Sequence, residues 1–329
     1  MPGAYGVDYS AKIFVRFIGA KVNGIEITGK SFNTNLSGEL HTVCPLCGGQ
    51  ELKIKYEVKG YTLTECLSCS AVFVRNILTH KYLEEFYQNQ EGNCSYCDDD
   101  NSDCINYYNL KLKSEIEKLR PGKGSILDVG CCSGLFLDQV PGWERHGVEV
   151  SEKYGEKAKD RIGENIFIGS FEEYPVREEY FDVITLQDVF DHFIDPINNL
   201  KKCKVMLKPG GLLVIKVHDI SCLFARICGS EYYAIAPPVH LFYFREGSLR
   251  FILEQTGFQF HKKRFIGHLI KIKAVFLGLS RTDQRALAYK VYKFLDKSMI
   301  GNIKIYKNLH DIITVFAVKT ASYKKECLS

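Results

Sequence analysis

Residues 125–137 read SILDVGCCSGLFL. A β-branched apolar run reaches Asp128, a tight turn spans Gly130 to Gly134, and an apolar helix start follows. A strand that ends in a glycine turn and opens a helix gathers backbone N–H groups and the positive end of a helix dipole at one point. That point suits the carboxylate or phosphate end of a nucleotide-like ligand. It argues for a doubly wound α/β fold with its site at the carboxyl ends of the strands. Glycine spacing narrows the ligand. A dinucleotide fold needs G-x-G-x-x-G, but the third and sixth positions here are Cys132 and Leu135. What remains is D-x-G-x-x-x-G, with Glu149 closing the next strand-like run, HGVEV. A carboxylate there can hold both ribose hydroxyls of an adenosine.

Further landmarks follow in order: GVEVSE, FDVITLQDVFDHFIDP, LKPGGLLVIKV and HLFYFREGSLRFILEQTGF. From about Tyr107 to Lys319 the chain resembles the class I S-adenosylmethionine-dependent methyltransferases. The resemblance implies a seven-stranded Rossmann-like sheet, with strands near Ile126, Val148, Phe167, Val183, Val214, Phe260 and Val315. It carries cofactor contacts onto Asp128, Gly130, Cys132, Gly134, Glu149, Ser170, Phe171 and Gln187. Two positions depart from the family pattern. Cys132 stands where the turn usually has its middle glycine, and Ser170 stands where an acid often meets the adenine amino group.

Cys44-Pro-Leu-Cys47 and Cys66-Leu-Ser-Cys69 are two C-x-x-C knuckles separated by eighteen residues. Two knuckles supply the four sulfurs of a tetrahedral zinc, and the alternating ELKIKYEVKGYTLTE between them reads as short strands. A closed four-thiolate site leaves no open coordination position, so a structural Zn2+ in a small zinc-ribbon module is expected. Cys94, Cys97 and Cys104 form a third group without an obvious fourth ligand. The expected organisation is a hairpin segment of unknown role at 1–40, the ribbon at 41–80, an acidic linker at 81–106 and the methyltransferase domain at 107–329. Residues 267–308 form an insertion with helical periodicity, and the resemblance implies that it covers the cleft.

Composition fits a folded protein, at 46% hydrophobic and 25% charged residues. The net charge of +4 is uneven. Residues 262–329 hold 15 Lys and Arg against 4 Asp and Glu, which favours an anionic small-molecule partner, with nucleic acid less favoured. The stretch Phe265–Leu279 is interrupted by His268, Lys271 and Lys273, and no secretory signal opens the chain, so a cytoplasmic protein without a transmembrane span is expected.

A sulfonium methyl is already activated, so catalysis rests largely on placing the acceptor in line. An alcohol or activated carbon must also lose a proton. His192 lies just past the fourth core strand, flanked by Asp188 and Asp191; His240, in APPVHLFYF, is the second candidate. His218 and Tyr233 rank below them. The D-x-x-D-H run of Asp188–His192 also resembles the E-x-x-E-H stretch of ubiquinone-pathway O-methyltransferases, where the group binds a divalent cation, although each aspartate is one methylene shorter. A zinc-binding module before this core resembles sugar and secondary-metabolite methyltransferases, which implies O- or C-methylation of a nucleotide sugar or a glycan or metabolite precursor. Three alternatives stay open: a zinc-ribbon RNA methyltransferase, a ubiquinone-type O-methyltransferase and a non-catalytic cofactor-binding module.

Overall fold

A computed structural model describes residues 39–79, 82–83, 102–279 and 287–320. The hairpin expected around Asn23-Gly24 and the Cys94 and Cys97 pair lie outside the described residues. Near the amino end, β1 (Leu52–Val58), β2 (Tyr61–Cys66) and β3 (Val72–Val74) form an antiparallel meander. Helix α1 (Ser102–Leu119) comes next and begins five residues before the expected Tyr107.

The core then alternates strand and helix. It runs β4 (Ser125–Val129), α2 (Leu135–Asp138), β5 (Glu144–Glu149), α3 (Glu152–Ile162), β6 (Ile166–Ile168) and β7 (Phe181–Gln187). It continues with a 3-10 turn at Phe190–His192, α4 (Pro196–Met206), β8 (Leu207–His218) and α5 (Leu223–Cys228). Asp195 caps α4 by accepting the Asn198 N–H at 3.0 Å, and Pro196 occupies the first turn, where its missing N–H costs nothing. After α5 come β9 (Phe242–Tyr243), α6 (Glu246–Gln255) and β10 (Phe258–Arg264).

All seven expected strands are present, in the order β10-β13-β8-β7-β4-β5-β6, with β13 spanning Ile312–Lys319. Strands β4 through β8 pair in parallel, and β13 runs antiparallel between β8 and β10. All five residues of β4 are buried. A strand covered on both faces reads as a continuous apolar run, which is why SILDV does not alternate. On one face, α1 contributes Tyr108, Leu112 and Ile116 at four-residue spacing, packed with Ile126, Leu137, Val214 and Phe316. On the other, Leu249, Ile252 and Leu253 of α6 join Leu127, Ile184 and Ile215.

Two expectations need adjusting. The amino-terminal meander is not a separate module. Strand β9 adds to it, giving a sheet ordered β1-β2-β3-β9, and Cys44, Cys66, Cys69 and Phe73 share one apolar core with Leu127 and Val129. The insertion is also not purely helical. It is based on a ribbon of β11 (His268–Lys271) and β12 (Lys304–Lys307), which carries α7 (Ile272–Leu279) and α8 (Leu287–Asp296). Four-residue strands with a lysine or histidine at each end carry too short an alternation to be read from sequence.

Part of the basic excess is matched inside the fold. Glu115 of α1 meets Lys262 at 2.8 Å and Arg264 at 3.1 Å on β10, and Lys118 at 2.9 Å. The Lys262 hydrogen bond is the largest influence holding the Glu115 carboxyl down at about 2. A depressed carboxyl stabilises the fold above its ordinary value and loses that contribution as pH falls toward 2. Glu115→Gln should therefore cost roughly 1–2 kcal/mol at pH 7, discounted for the exposed Lys118 and Arg264. The cost should shrink steadily in urea melts as pH falls from about 4.5 toward 2.

Candidate active site and cysteine cluster

Strand order reverses between β4 and β7, since the chain goes outward to β5 and β6 and then returns to β7 and β8. A crevice opens at such a reversal, at the carboxyl ends of the strands. Gly130 and Gly134 take φ of 73° and 78°, in the left-handed region. At Gly134 an added Cβ would lie 3.0 Å from Cγ1 of Ile162, so α3 packs directly on the turn. Cys132 also takes a left-handed φ, 54°, which explains why a glycine is usual there. Its sulfur is disulfide-bonded, so this side chain offers a ligand no thiol and contributes its backbone.

Glu149 ties the turn together. Its Oε2 accepts the Cys132 N–H at 2.8 Å and its Oε1 accepts the Ser151 N–H at 2.9 Å. Burial raises its carboxyl above the ordinary value. Asp128 is fully enclosed, and its Oδ1 accepts from the Thr185 hydroxyl at 2.5 Å and the Gln187 amide at 3.3 Å. Burial pushes Asp128 up to about 7 despite those two donors. The Gly169 N–H donates to the Glu149 carbonyl at 2.9 Å, which brings Ser170 and Phe171 to the same edge. Ser170 exchanges hydrogen bonds with Glu173, a carboxylate that the sequence reading passed over. The helix after the turn is a single turn, Leu135–Asp138, so the helix-dipole expectation fails and the N–H groups of the turn itself remain as donors.

Beyond Gln187 the chain builds a second cluster. Asp188 turns aside to Lys216, 2.5 Å away and almost buried, whose ammonium also lies 4.2 Å from the centroid of the Tyr108 ring. Burial would raise the Asp188 carboxyl, but the Lys216 charge outweighs it and holds it below the usual range. Asp191 points instead toward His192 and His240, with oxygen–nitrogen distances of 3.8 and 3.9 Å. Those gaps are too wide for hydrogen bonds, and Asp191 Oδ1 and His192 Nε2 are buried without a partner.

The imidazoles of His192, His240 and His218 follow one another, with ring centroids 4.9 and 5.4 Å apart. Burial is the main cause that pushes His192 and His218 down to about 4. His240 Nδ1 lies 2.7 Å from the Ala234 carbonyl, so that nitrogen carries a proton and donates it there, and Nε2 faces Asp191 Oδ2 at 3.9 Å. Tyr233 packs edge-on to His218 at 5.3 Å and donates to Asp311 Oδ2 at 2.6 Å. Lys307 of the insertion ribbon lies 3.7 Å from Asp311 and 5.5 Å from the Tyr233 ring centre. The cluster therefore gathers both favoured histidines with His218, and leaves Asp188 in an ion pair. His218 was hard to rank from sequence because it closes a buried strand, where a histidine usually has a structural role.

On the neighbouring sheet the four expected cysteines converge. Their sulfurs lie within 4.8 Å of one another, with Cys44–Cys69 at 3.7 Å and Cys47–Cys66 at 3.5 Å. Four sulfurs each 2.3 Å from a tetrahedral ion are about 3.8 Å apart, the spacing at which the Cys44–Cys69 and Cys47–Cys66 pairs already stand.

Residues 104–263 match the model of a family described as a methyltransferase domain. Similar curated proteins include a ubiquinone biosynthesis O-methyltransferase of Haemophilus ducreyi, 26% identical over 32% of this chain and 51% of its own length. Another of that name, from Coxiella burnetii, is 28% identical over 41% of this chain and 67% of its own length. The chain spans about half the length of the first of these. Among solved structures, the 1,6-didemethyltoxoflavin-N1-methyltransferase of Burkholderia thailandensis, with bound 1,6-didemethyltoxoflavin and S-adenosylhomocysteine, is 15% identical. It covers 82% of this chain and all of its own at a TM-score of 0.47. A possible histamine N-methyltransferase of Thermotoga maritima is 15% identical at a TM-score of 0.44, covering 73% of this chain and 97% of its own. Among the described residues, no helix is long and apolar enough to cross a membrane.

The raised Asp128 carboxyl gives a signed expectation. A carboxyl lifted from 3.8 to about 7 favours the fold while protonated, and that contribution is lost as pH rises through 7. Asp128→Asn keeps an acceptor for Thr185 and Gln187 and removes the buried charge. Thermal melts of ligand-free protein should show the variant more stable than wild type at pH 8, by on the order of 2 kcal/mol. At pH 4 the two should coincide.

Proposed function

We propose that this chain, which carries an S-adenosylmethionine-dependent methyltransferase domain, methylates a small anionic acceptor at oxygen or carbon. A nucleotide-linked sugar or a glycan or metabolite precursor is the favoured class. One juxtaposition carries the reading: Gln187 touches Asp128 beside the glycine turn, and five residues later His192 presents an unpartnered nitrogen. Cofactor and acceptor would thus meet at one sheet edge. S-adenosylmethionine supplies a methyl group already activated on a sulfonium. Glu149 would hold the ribose hydroxyls, the Gly130–Gly134 turn would take the amino-acid end, and Ser170 and Phe171 would flank the adenine. His192 would take the acceptor proton, with His240 beside it, while Lys216 fixes Asp188 in a positioning role. The basic excess of residues 262–329, 15 Lys and Arg against 4 Asp and Glu, supports an anionic acceptor. The names of the curated relatives favour a second reading, ubiquinone-pathway O-methylation.

Calorimetry should give micromolar affinity for S-adenosylmethionine or its demethylated product, weakened at least about tenfold by Glu149→Ala as charge-assisted ribose hydrogen bonds are lost. A tritium-transfer assay then separates the acceptors: a nucleotide-sugar panel, a ubiquinone-pathway acceptor and ribosomal RNA. Label appearing in the sugar panel and lost in His192→Ala supports this reading. Label in RNA, with strong salt dependence, overturns it.

The four cysteines would hold a structural zinc. Because Cys66 and Cys69 share the core with Leu127 and Val129, the ion would brace the whole fold. Cys69→Ser should lower zinc content below about one per chain and cost several kcal/mol of stability. Metal analysis and urea melts on reduced protein check both.

A further inference from the structure

The geometry points to a second metal site, in which Asp191, His218 and His240 hold a divalent first-row transition ion through one carboxylate oxygen and two imidazole nitrogens. Their ligand atoms all lie within 4.8 Å of one another. They come from three elements: the Phe190–His192 turn, the end of β8 and the loop before β9. Bonds of about 2.0–2.2 Å from an ion to nitrogen and oxygen set neighbouring ligands about 3.4 Å apart. The observed 3.9 Å between His240 Nε2 and Asp191 Oδ2 needs only about half an ångström of contraction to meet this.

Three observations support a built site. Asp191 is 3% exposed, and its carboxylate hydrogen-bonds to neither facing imidazole: Oδ2 stands 3.9 Å from His240 Nε2, and Oδ1, on the His192 side at 3.8 Å, has no partner, a costly state for a buried carboxylate. The Nδ1–H of His240 donates to the Ala234 carbonyl at 2.7 Å, the outer contact that commonly fixes the tautomer and ring angle of a ligating histidine. The Leu241 N–H donates to the Asp191 carbonyl at 2.8 Å, locking the segment that carries His240 to the residue it faces. Two imidazoles and a carboxylate match the borderline preference of zinc and its neighbours better than that of magnesium or calcium.

This ligand set differs from the local Asp188–His192 run read from sequence. Asp188 is held by Lys216, and the other ligands arrive from distant segments. Three protein ligands leave an open coordination position. In the methyl-transfer reading, on which this role rests, that position takes an acceptor oxygen and lowers its pKa, and His192 remains beside it to accept the proton.

Whole protein is equilibrated with cobalt(II), desalted and analysed for metal and visible absorption. The expected result is about two ions per chain, one showing thiolate charge-transfer bands and one showing only weaker nitrogen- and oxygen-ligand bands. Asp191→Asn, which keeps side-chain shape, and His218→Ala should each lose the second ion and keep the thiolate bands. Retained S-adenosylmethionine binding would show that the variants are folded. Wild-type protein lacking the second set of bands, or variants that keep it, would overturn the site. Two ions in a protein that binds no S-adenosylmethionine would sustain the site and remove the methyl-transfer reading instead.

Discussion

Parallel pairing of β4, β5, β7 and β8 brings four carboxyl ends to one edge of the sheet, and nearly every feature of the candidate site hangs from that edge. The glycine turn follows β4, Glu149 closes β5, Asp188 to His192 follow β7, and His218 closes β8. Side chains far apart in sequence meet because successive strands carry them to the same height. Strand order reverses between β4 and β7, the position at which sheets of this kind bind their ligands.

Burial sets the electrostatics of that edge. Burial raises the Asp128 and Glu149 carboxyls, and the nearby Glu149 charge adds to the effect on Asp128. Further along, Asp188 and Lys216 offset each other in an ion pair whose partners would each be costly alone. The imidazole cluster receives less compensation, since Asp191 stands off both of its neighbours.

The amino-terminal meander also contributes to this edge. Strand β9 belongs to its sheet, and β9 follows directly on the loop that carries His240. Glu65 of β2 meets Arg245 at 2.5 Å, just after β9, so the cysteine cluster is linked to the segment that carries His240 by backbone pairing and by charge. Support for a short two-residue strand is a physical reason for joining this meander to the larger fold.

Local chemistry made much of this protein legible in its sequence. The run SILDV and the apolar stretch of β8 announce strands covered on both faces. Left-handed turn positions require Gly130 and Gly134, and C-x-x-C knuckles at a fixed separation bring four sulfurs together. Such signals depend on neighbours within a few residues, so they can be read along the chain. Tertiary structure alone decided that Asp188 would pair with Lys216 and leave Asp191 to face the histidines. It likewise decided that His218 would join His240, and that the meander would share its core with the larger sheet. Those outcomes depend on contacts between segments tens of residues apart, where strand register and packing select the partner and no local spacing records the choice.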